Sequence, residues 1–143
     1  MADRTESTII INASVAAITE VIADLEAYPQ WSEGITSVEV LKSQENRPVA
    51  ARFILDVGII KDTYELAYTW KPELVEWHLV DATVLSLMDG SYQLRDLGDG
   101  STEVAYALTV DIKIPMLGML KRKAEKTIID TALKGLKARV EQA

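Results

Sequence analysis

Apolar and polar side chains alternate along most of this chain, a period of two that marks strands with one buried face. The pattern predicts a first strand at Ser7–Asn12 and six more after Gly34: Thr36–Gln44, Val49–Ile60, Thr63–Lys71, Leu74–Asp81, Val84–Leu97 and Thr102–Lys113. The connections are short and carry turn residues, at Glu45-Asn46-Arg47-Pro48, Lys61-Asp62, Pro72-Glu73 and Gly98-Asp99-Gly100. Twice the period changes to that of a helix. Ile18, Val21, Ile22 and Leu25 lie three or four apart after Ser14, and Asp24 is placed to cap a second, shorter helical turn that Pro29 ends. From Met116 to Glu141, Leu117, Leu120, Ala124, Ile128 and Thr131 form one stripe, and Ile129, Leu133, Leu136 and Val140 continue it one step round. A helix of that length would be roughly 39 Å long and needs a large partner surface. The order is strand, two helices, six strands, helix, with no repeat or linker, which predicts one α+β domain over residues 1–143. Its architecture is a curved antiparallel sheet wrapped around the long C-terminal helix.

The alternation also says which side chains meet that helix. Arg52 and Asp56 take the solvent face, which turns Ala51, Phe53, Leu55 and Val57 inward. Glu65 and Lys71 do the same for Tyr64, Leu66, Tyr68 and Trp70, and Glu76 does it for Val75, Trp77 and Leu79. Tyr92 and Leu94 face in from the next strand, as do Val104, Tyr106, Leu108, Val110 and Ile112 from the last. Four tyrosines and two tryptophans thus share the concave face of a chain that has one phenylalanine. A dry core is filled more cheaply by Leu, Ile and Phe, because a buried phenol needs a hydrogen-bond partner. Two readings stand: tyrosines at the sheet margins with hydroxyls in solvent, or tyrosines lining a pocket.

Charge narrows the partners. The net charge is −7, without the basic footprint a nucleic-acid binder needs. Residues 116–143 carry seven Lys or Arg against three acids, a local +4, which leaves −11 on the rest. A basic helix with Lys121, Arg122 and Lys123 behind Met116, Leu117, Met119 and Leu120 suits transient contact with a membrane surface, and equally an ordinary solvated face with Met as filler. Cysteine is absent, which removes disulfides, thiol nucleophiles and thiolate-bound metal. With no export segment and no apolar run long enough to span a bilayer, the expectation is a soluble cytoplasmic protein.

Ala13-Ser14-Val15-Ala16-Ala17-Ile18, Val21-Ile22-Ala23-Asp24, Tyr28-Pro29-Gln30-Trp31 and Ser37-Val38-Glu39-Val40 together resemble the N-terminal signature of the START-like, SRPBCC superfamily, in its polyketide cyclase/dehydrase and coenzyme-Q-binding branch. Gly90-Ser91-Tyr92-Gln93-Leu94 followed by Gly98-Asp99-Gly100-Ser101-Thr102-Glu103-Val104 is similar to that family's penultimate hairpin. The resemblance covers essentially the whole chain. It implies a helix-grip fold, a seven-stranded antiparallel sheet around the C-terminal helix, with a hydrophobic cavity between them that holds lipids, sterols, polyketides, quinones or plant hormones. Two positions depart from the family: Ser14 where proline is common, and Thr19 where an aromatic is frequent, which implies a wider pocket at one end.

No catalytic constellation is visible. His78 alternates with the inward Trp77 and Leu79 and belongs on the surface, and no Ser/His/Asp set or metal-ligand spacing can be assembled. Asp56, Asp62, Asp81, Asp89 and Asp111 fall on outward positions or turns. Trp31 is either a ligand gate or an anchor seating the short helix. No metal or cofactor is expected. The resulting expectation is a binder of a hydrophobic small molecule, gripped by Phe53, Tyr64, Tyr68, Trp70, Trp77, Tyr92 and Tyr106 from the sheet and by Leu120, Ala124 and Ile128 from the helix. The alternatives are an aromatase/cyclase-type enzyme using the same pocket and a module that binds a protein partner.

Overall fold

The structure, a computed structural model, describes residues 4–32, 34–56, 58, 61–113 and 118–142; within the last helix the side chains of 118–121 and 124 are not described. Seven strands form one antiparallel sheet: β1 (Thr5–Ile11), β2 (Ile35–Gln44), β3 (Arg47–Asp56), β4 (Lys61–Lys71), β5 (Leu74–Ala82), β6 (Leu85–Asp96) and β7 (Thr102–Ile112). The spatial order is β1-β7-β6-β5-β4-β3-β2, so the first strand pairs with the last. Between β1 and β2 the chain crosses from one sheet edge to the other through α1 (Val15–Ala23) and a short 3-10 helix (Leu25–Gln30). The long C-terminal helix α2 (Gly118–Glu141) closes the chain.

Local chemistry sets these elements. Ser14 caps α1, its hydroxyl accepting the Ala17 N–H at 3.1 Å, a contact worth about 1 kcal/mol. Ile18 and Ile22 are the buried positions of that helix, as their spacing predicts. Asp24 stands at the start of the 3-10 helix without a side-chain capping bond, and Pro29 lies inside it instead of ending it. The tight turns at Glu45-Asn46 and Pro72-Glu73 put Glu45, Asn46 and Glu73 at positive φ. Two turn assignments are corrected. Arg47 and Pro48 already belong to β3, and Lys61 and Asp62 to β4.

The alternation read from the sequence holds across the sheet. Ala51, Phe53, Leu55, Tyr64, Leu66, Tyr68, Val75, Trp77, Tyr92, Leu94, Val104, Tyr106, Leu108 and Val110 are buried; Val57 lies outside the described residues. From α2 the core takes Ile129, Ala132, Leu133, Leu136 and Val140, while Ile128 and Thr131 are half-buried and Met116 and Leu117 are not described. The backbone of α2 approaches β1, β7 and α1 most closely. The rest of the sheet meets the helix through its large inward side chains.

Two carboxylates are buried. Asp62, expected at a turn, is inward on β4 because its position shares the parity of Tyr64. Its oxygens accept the N–H groups of Thr63, Thr83, Val84 and Leu85 at 2.8–3.1 Å, closing the β5–β6 turn. Glu125 on α2 is fully buried. It accepts the Val110 N–H and the Thr5 hydroxyl, both at 2.8 Å, and so fixes the helix to the two strands it lies across. Among the described residues Val110 lies beyond the last β1–β7 partner pair, Thr5 with Leu108, and its N–H goes to this carboxylate.

Candidate functional site

The site is built by strand register. Phe53 faces Tyr64 across β3–β4, Tyr68 faces Trp77 across β4–β5, Trp77 faces Gly90 across β5–β6, and Tyr92 faces Tyr106 across β6–β7. Because all are inward positions, their rings form one continuous aromatic wall. Phe53 and Tyr64 stack at 5.4 Å and nearly parallel, while Trp77 contacts Tyr68, Tyr92 and Tyr106 at 5.4–5.7 Å. Tyr92 and Tyr106 meet edge to face at 4.6 Å. Gly90 lets Trp77 lie down in this wall, since it has no side chain to compete for the space.

Between this wall and α2 lies a cavity of about 50 Å³. Of the residues singled out in the sequence, Phe53, Tyr64, Tyr68, Trp77, Tyr92, Tyr106 and Ile128 line it, joined by Tyr28, Ser32, Ile35, Leu55, Leu66, Met88 and Ala132. That volume is well short of what a lipid-sized molecule occupies.

The polar groups of the cavity are almost all phenols. The Tyr28 hydroxyl donates to the Ile22 carbonyl. The hydroxyls of Tyr64, Tyr68, Tyr92 and Tyr106 have no hydrogen-bond partner among the described residues. Nor are they sealed in: among the described residues the one enclosed side-chain nitrogen or oxygen without a partner is Trp31 Nε1. The four phenols therefore border the free space. Burial pushes the pKa of all five tyrosines above the ordinary phenol value, and for Tyr28, Tyr64, Tyr68 and Tyr92 neighbouring tyrosines add to the rise. They stay protonated and act as hydrogen-bond donors, not as bases.

Several expected site residues fall elsewhere. Trp70 is inward but sits past the end of the cavity. Its indole N–H donates to the Pro48 carbonyl at 2.6 Å, and the Arg47 guanidinium covers its ring at 5.6 Å. Strand β4 outruns the cavity, so parity alone carried Trp70 too far. Thr19 lines the grooves beside Trp70, outside the cavity, and does not widen it. The side chains of Leu120, Ala124 and Lys121 are outside the described residues. Arg122 and Lys123 are exposed. Part of the basic charge of α2 is used within the protein: Lys126 pairs with Asp130, Lys137 reaches Glu141 and the Ile10 carbonyl, and Arg139 donates to Gln30.

Trp31 behaves as an anchor. Its carbonyl oxygen would lie 2.1 Å from a Cβ on Gly135, so the 3-10 helix rests directly on α2 at its glycine, and its ring packs edge-on against Tyr28 at 4.7 Å. His78 is exposed on the convex face. Among the described residues no cluster of potential metal ligands occurs, and no helix is long and apolar enough to cross a membrane. Met88 and Ala132 were within reach of the sequence, sharing the parity of Tyr92 and the helical row of Ile128. Tyr28 and Ser32 were not, since no period places a 3-10 helix over a sheet.

The sequence profile of a family described as polyketide cyclase/dehydrase and lipid transport matches residues 2–141. No curated protein matches the chain. Among solved structures, a START superfamily protein from Mycobacterium smegmatis is 26% identical, with 97% of each chain covered and a TM-score of 0.89. The Zhui aromatase/cyclase from Streptomyces sp. R1128 is 16% identical, over 99% of this chain and 95% of that one, with a TM-score of 0.85. The protein TTHA0849 of Thermus thermophilus is 22% identical, with 98% of each chain covered and a TM-score of 0.83. These likenesses establish the START-like helix-grip fold.

Proposed function

This chain belongs to the polyketide cyclase/dehydrase and lipid transport family, and from that membership and its phenol-lined cavity we propose that it binds a lipid-, quinone- or polyketide-like molecule between the sheet and α2. The observation that carries this reading is the set of four tyrosine hydroxyls bordering the cavity without partners among the described residues. A phenol buried for packing alone forfeits a hydrogen bond that phenylalanine would not need. Four on one wall are a standing demand for acceptor atoms, which a bound molecule supplies.

Ligands of this kind need about 300 Å³ or more, so binding requires the aromatic wall and α2 to part. The rings give way by rotation. The helix leans on β1, β7 and α1, which leaves its side towards β3–β5 the freer to lift. No carboxylate or imidazole lines the cavity among the described residues, so the chemistry at hand is holding and orienting, not proton abstraction.

The test is native mass spectrometry of protein purified gently from its host, with organic extraction of whatever accompanies it. The expected result is a stoichiometric apolar adduct whose release restores the bare mass. Tyr68→Phe should change affinity for that molecule and leave no turnover to lose. A protein that retains no apolar molecule and binds none of a lipid, quinone and polyketide panel overturns the reading. Turnover of a polyketide-like substrate that Tyr68→Phe abolishes would put an enzyme in its place.

A further inference from the structure

We infer that the cavity selects uncharged ligands bearing carbonyl or ether oxygens and turns away carboxylates and phosphates. This rests on the binding reading above and narrows it. Among the described residues the lining holds no lysine, arginine or histidine, and its side-chain polar groups are phenols, the Ser32 hydroxyl and the Trp77 indole N–H. Phenols offer a lone pair a donor, but none of these groups supplies the countercharge that an anion needs when it leaves water.

The protein's own buried anions show what an anion requires here. Asp62 is held by four backbone N–H groups, and Glu125 by a strand N–H and a hydroxyl. Neither carboxylate lines the cavity. Most of the strand amides around the cavity are paired in the ladders of β3 to β7, and among the described residues no cluster of N–H groups like that around Asp62 lines it. The net charge of −7 works in the same direction at longer range. The upward displacement of the tyrosine pKa values has the same cause, an interior that resists negative charge. Neutral ketones, quinones, esters and sterol-like alcohols remain; free fatty acids and phospholipid headgroups do not.

A naphthoic acid and its methyl ester test this by isothermal titration calorimetry, because they share one ring system and differ in charge. If only the neutral form binds, the acid gains ~100-fold in affinity between about pH 8 and about pH 6, following its protonated fraction, while the ester is unchanged. Tyr106→Phe, which keeps the ring, should weaken the ester several-fold. An acid that binds as tightly as its ester at the higher pH overturns the selection and leaves hydrophobic binding standing. An acid that is weaker but shows no dependence on pH overturns it too, since its charge would not be what is refused. If neither compound binds, nor any neutral quinone or sterol, the binding reading falls and the selection falls with it.

Discussion

The indole of Trp77 occupies the space above Gly90 on the neighbouring strand: a Cβ on Gly90 would stand 2.3 Å from Trp77 Cε2 and 2.5 Å from Nε1. No side chain fits there while the ring stays. Trp77 in turn touches Tyr68, Tyr92 and Tyr106, so the missing side chain of Gly90 shapes the whole wall. Gly90→Ala should therefore cost about 1–3 kcal/mol through overpacking and displace the indole. Urea unfolding with near-ultraviolet circular dichroism reads both effects. Ser91→Ala, on the opposite face, should stay within about 0.5 kcal/mol. An unchanged midpoint and aromatic spectrum for Gly90→Ala would show that the ring is not fixed there.

Gly135 gives a prediction of reversed sign. In a free helix, replacing an interior glycine by alanine stabilises by about 1 kcal/mol. Here the new methyl would meet the Trp31 carbonyl oxygen, at 2.1 Å from the Cβ position. Gly135→Ala should destabilise by about 1–3 kcal/mol, measured by thermal or urea unfolding. Ala138→Gly, at an exposed position of the same helix, should follow the ordinary rule and lose about 1 kcal/mol. Stabilisation by Gly135→Ala would mean that the 3-10 helix does not rest on α2.

Asp62 should be worth more than its place at the beginning of a strand suggests. Asp62→Ala strips acceptors from the N–H groups of Thr83, Val84 and Leu85. The expected loss is about 2–4 kcal/mol, with faster hydrogen exchange confined first to residues 83–85. Uniform acceleration over the whole sheet would point to general loosening instead of loss of this clamp.

Alkali should unfold the protein before it ionises the tyrosines. Their folded pKa values are raised by burial above the unfolded value of about 10. Above that value the unfolded chain binds fewer protons than the folded one, so stability is complete below it and falls as pH rises. Tyrosinate absorbance should remain nearly silent and then rise in one cooperative step with unfolding. A gradual rise near pH ~10 with the fold intact would show that the hydroxyls are open to water. At the acid end the sign is opposite. The Asn12 N–H and then Lys137 hold Glu141 below the usual carboxylate range, so its stabilisation is present above the unfolded pKa and lost as pH falls through the folded one. Being exposed, the group contributes little, and Glu141→Gln should flatten only the acidic limb of the stability profile.

The fold was legible because its signals are local. Tyr64, Leu66 and Tyr68 face inward because a pleated strand alternates, and Ser14 caps α1 because its hydroxyl reaches Ala17 whatever the rest of the chain does. Element order and inward parity followed from such short-range rules, and with them most of the aromatic wall. The same rules overreached at Trp70, for parity gives a side chain its face of the sheet without saying how far along the strand a cavity runs. They missed Asp62 and Glu125, since a charged residue reads as exposed until its hydrogen-bond partners are known, and those partners are 21 to 23 and 15 to 120 positions away.

The sequence by itself thus determined the strands, the helices, the face each side chain takes and the concentration of phenols on one surface, all consequences of backbone period and turn chemistry within a few residues. The tertiary structure alone decided that Trp77 lies over Gly90, that Trp31 seats on Gly135, that Tyr28 closes the wall and that only about 50 Å³ stays free behind it. Those outcomes depend on cross-strand register and on how closely α2 approaches the sheet. Both are set by the packing of many side chains at once, and no single stretch of the chain contains them.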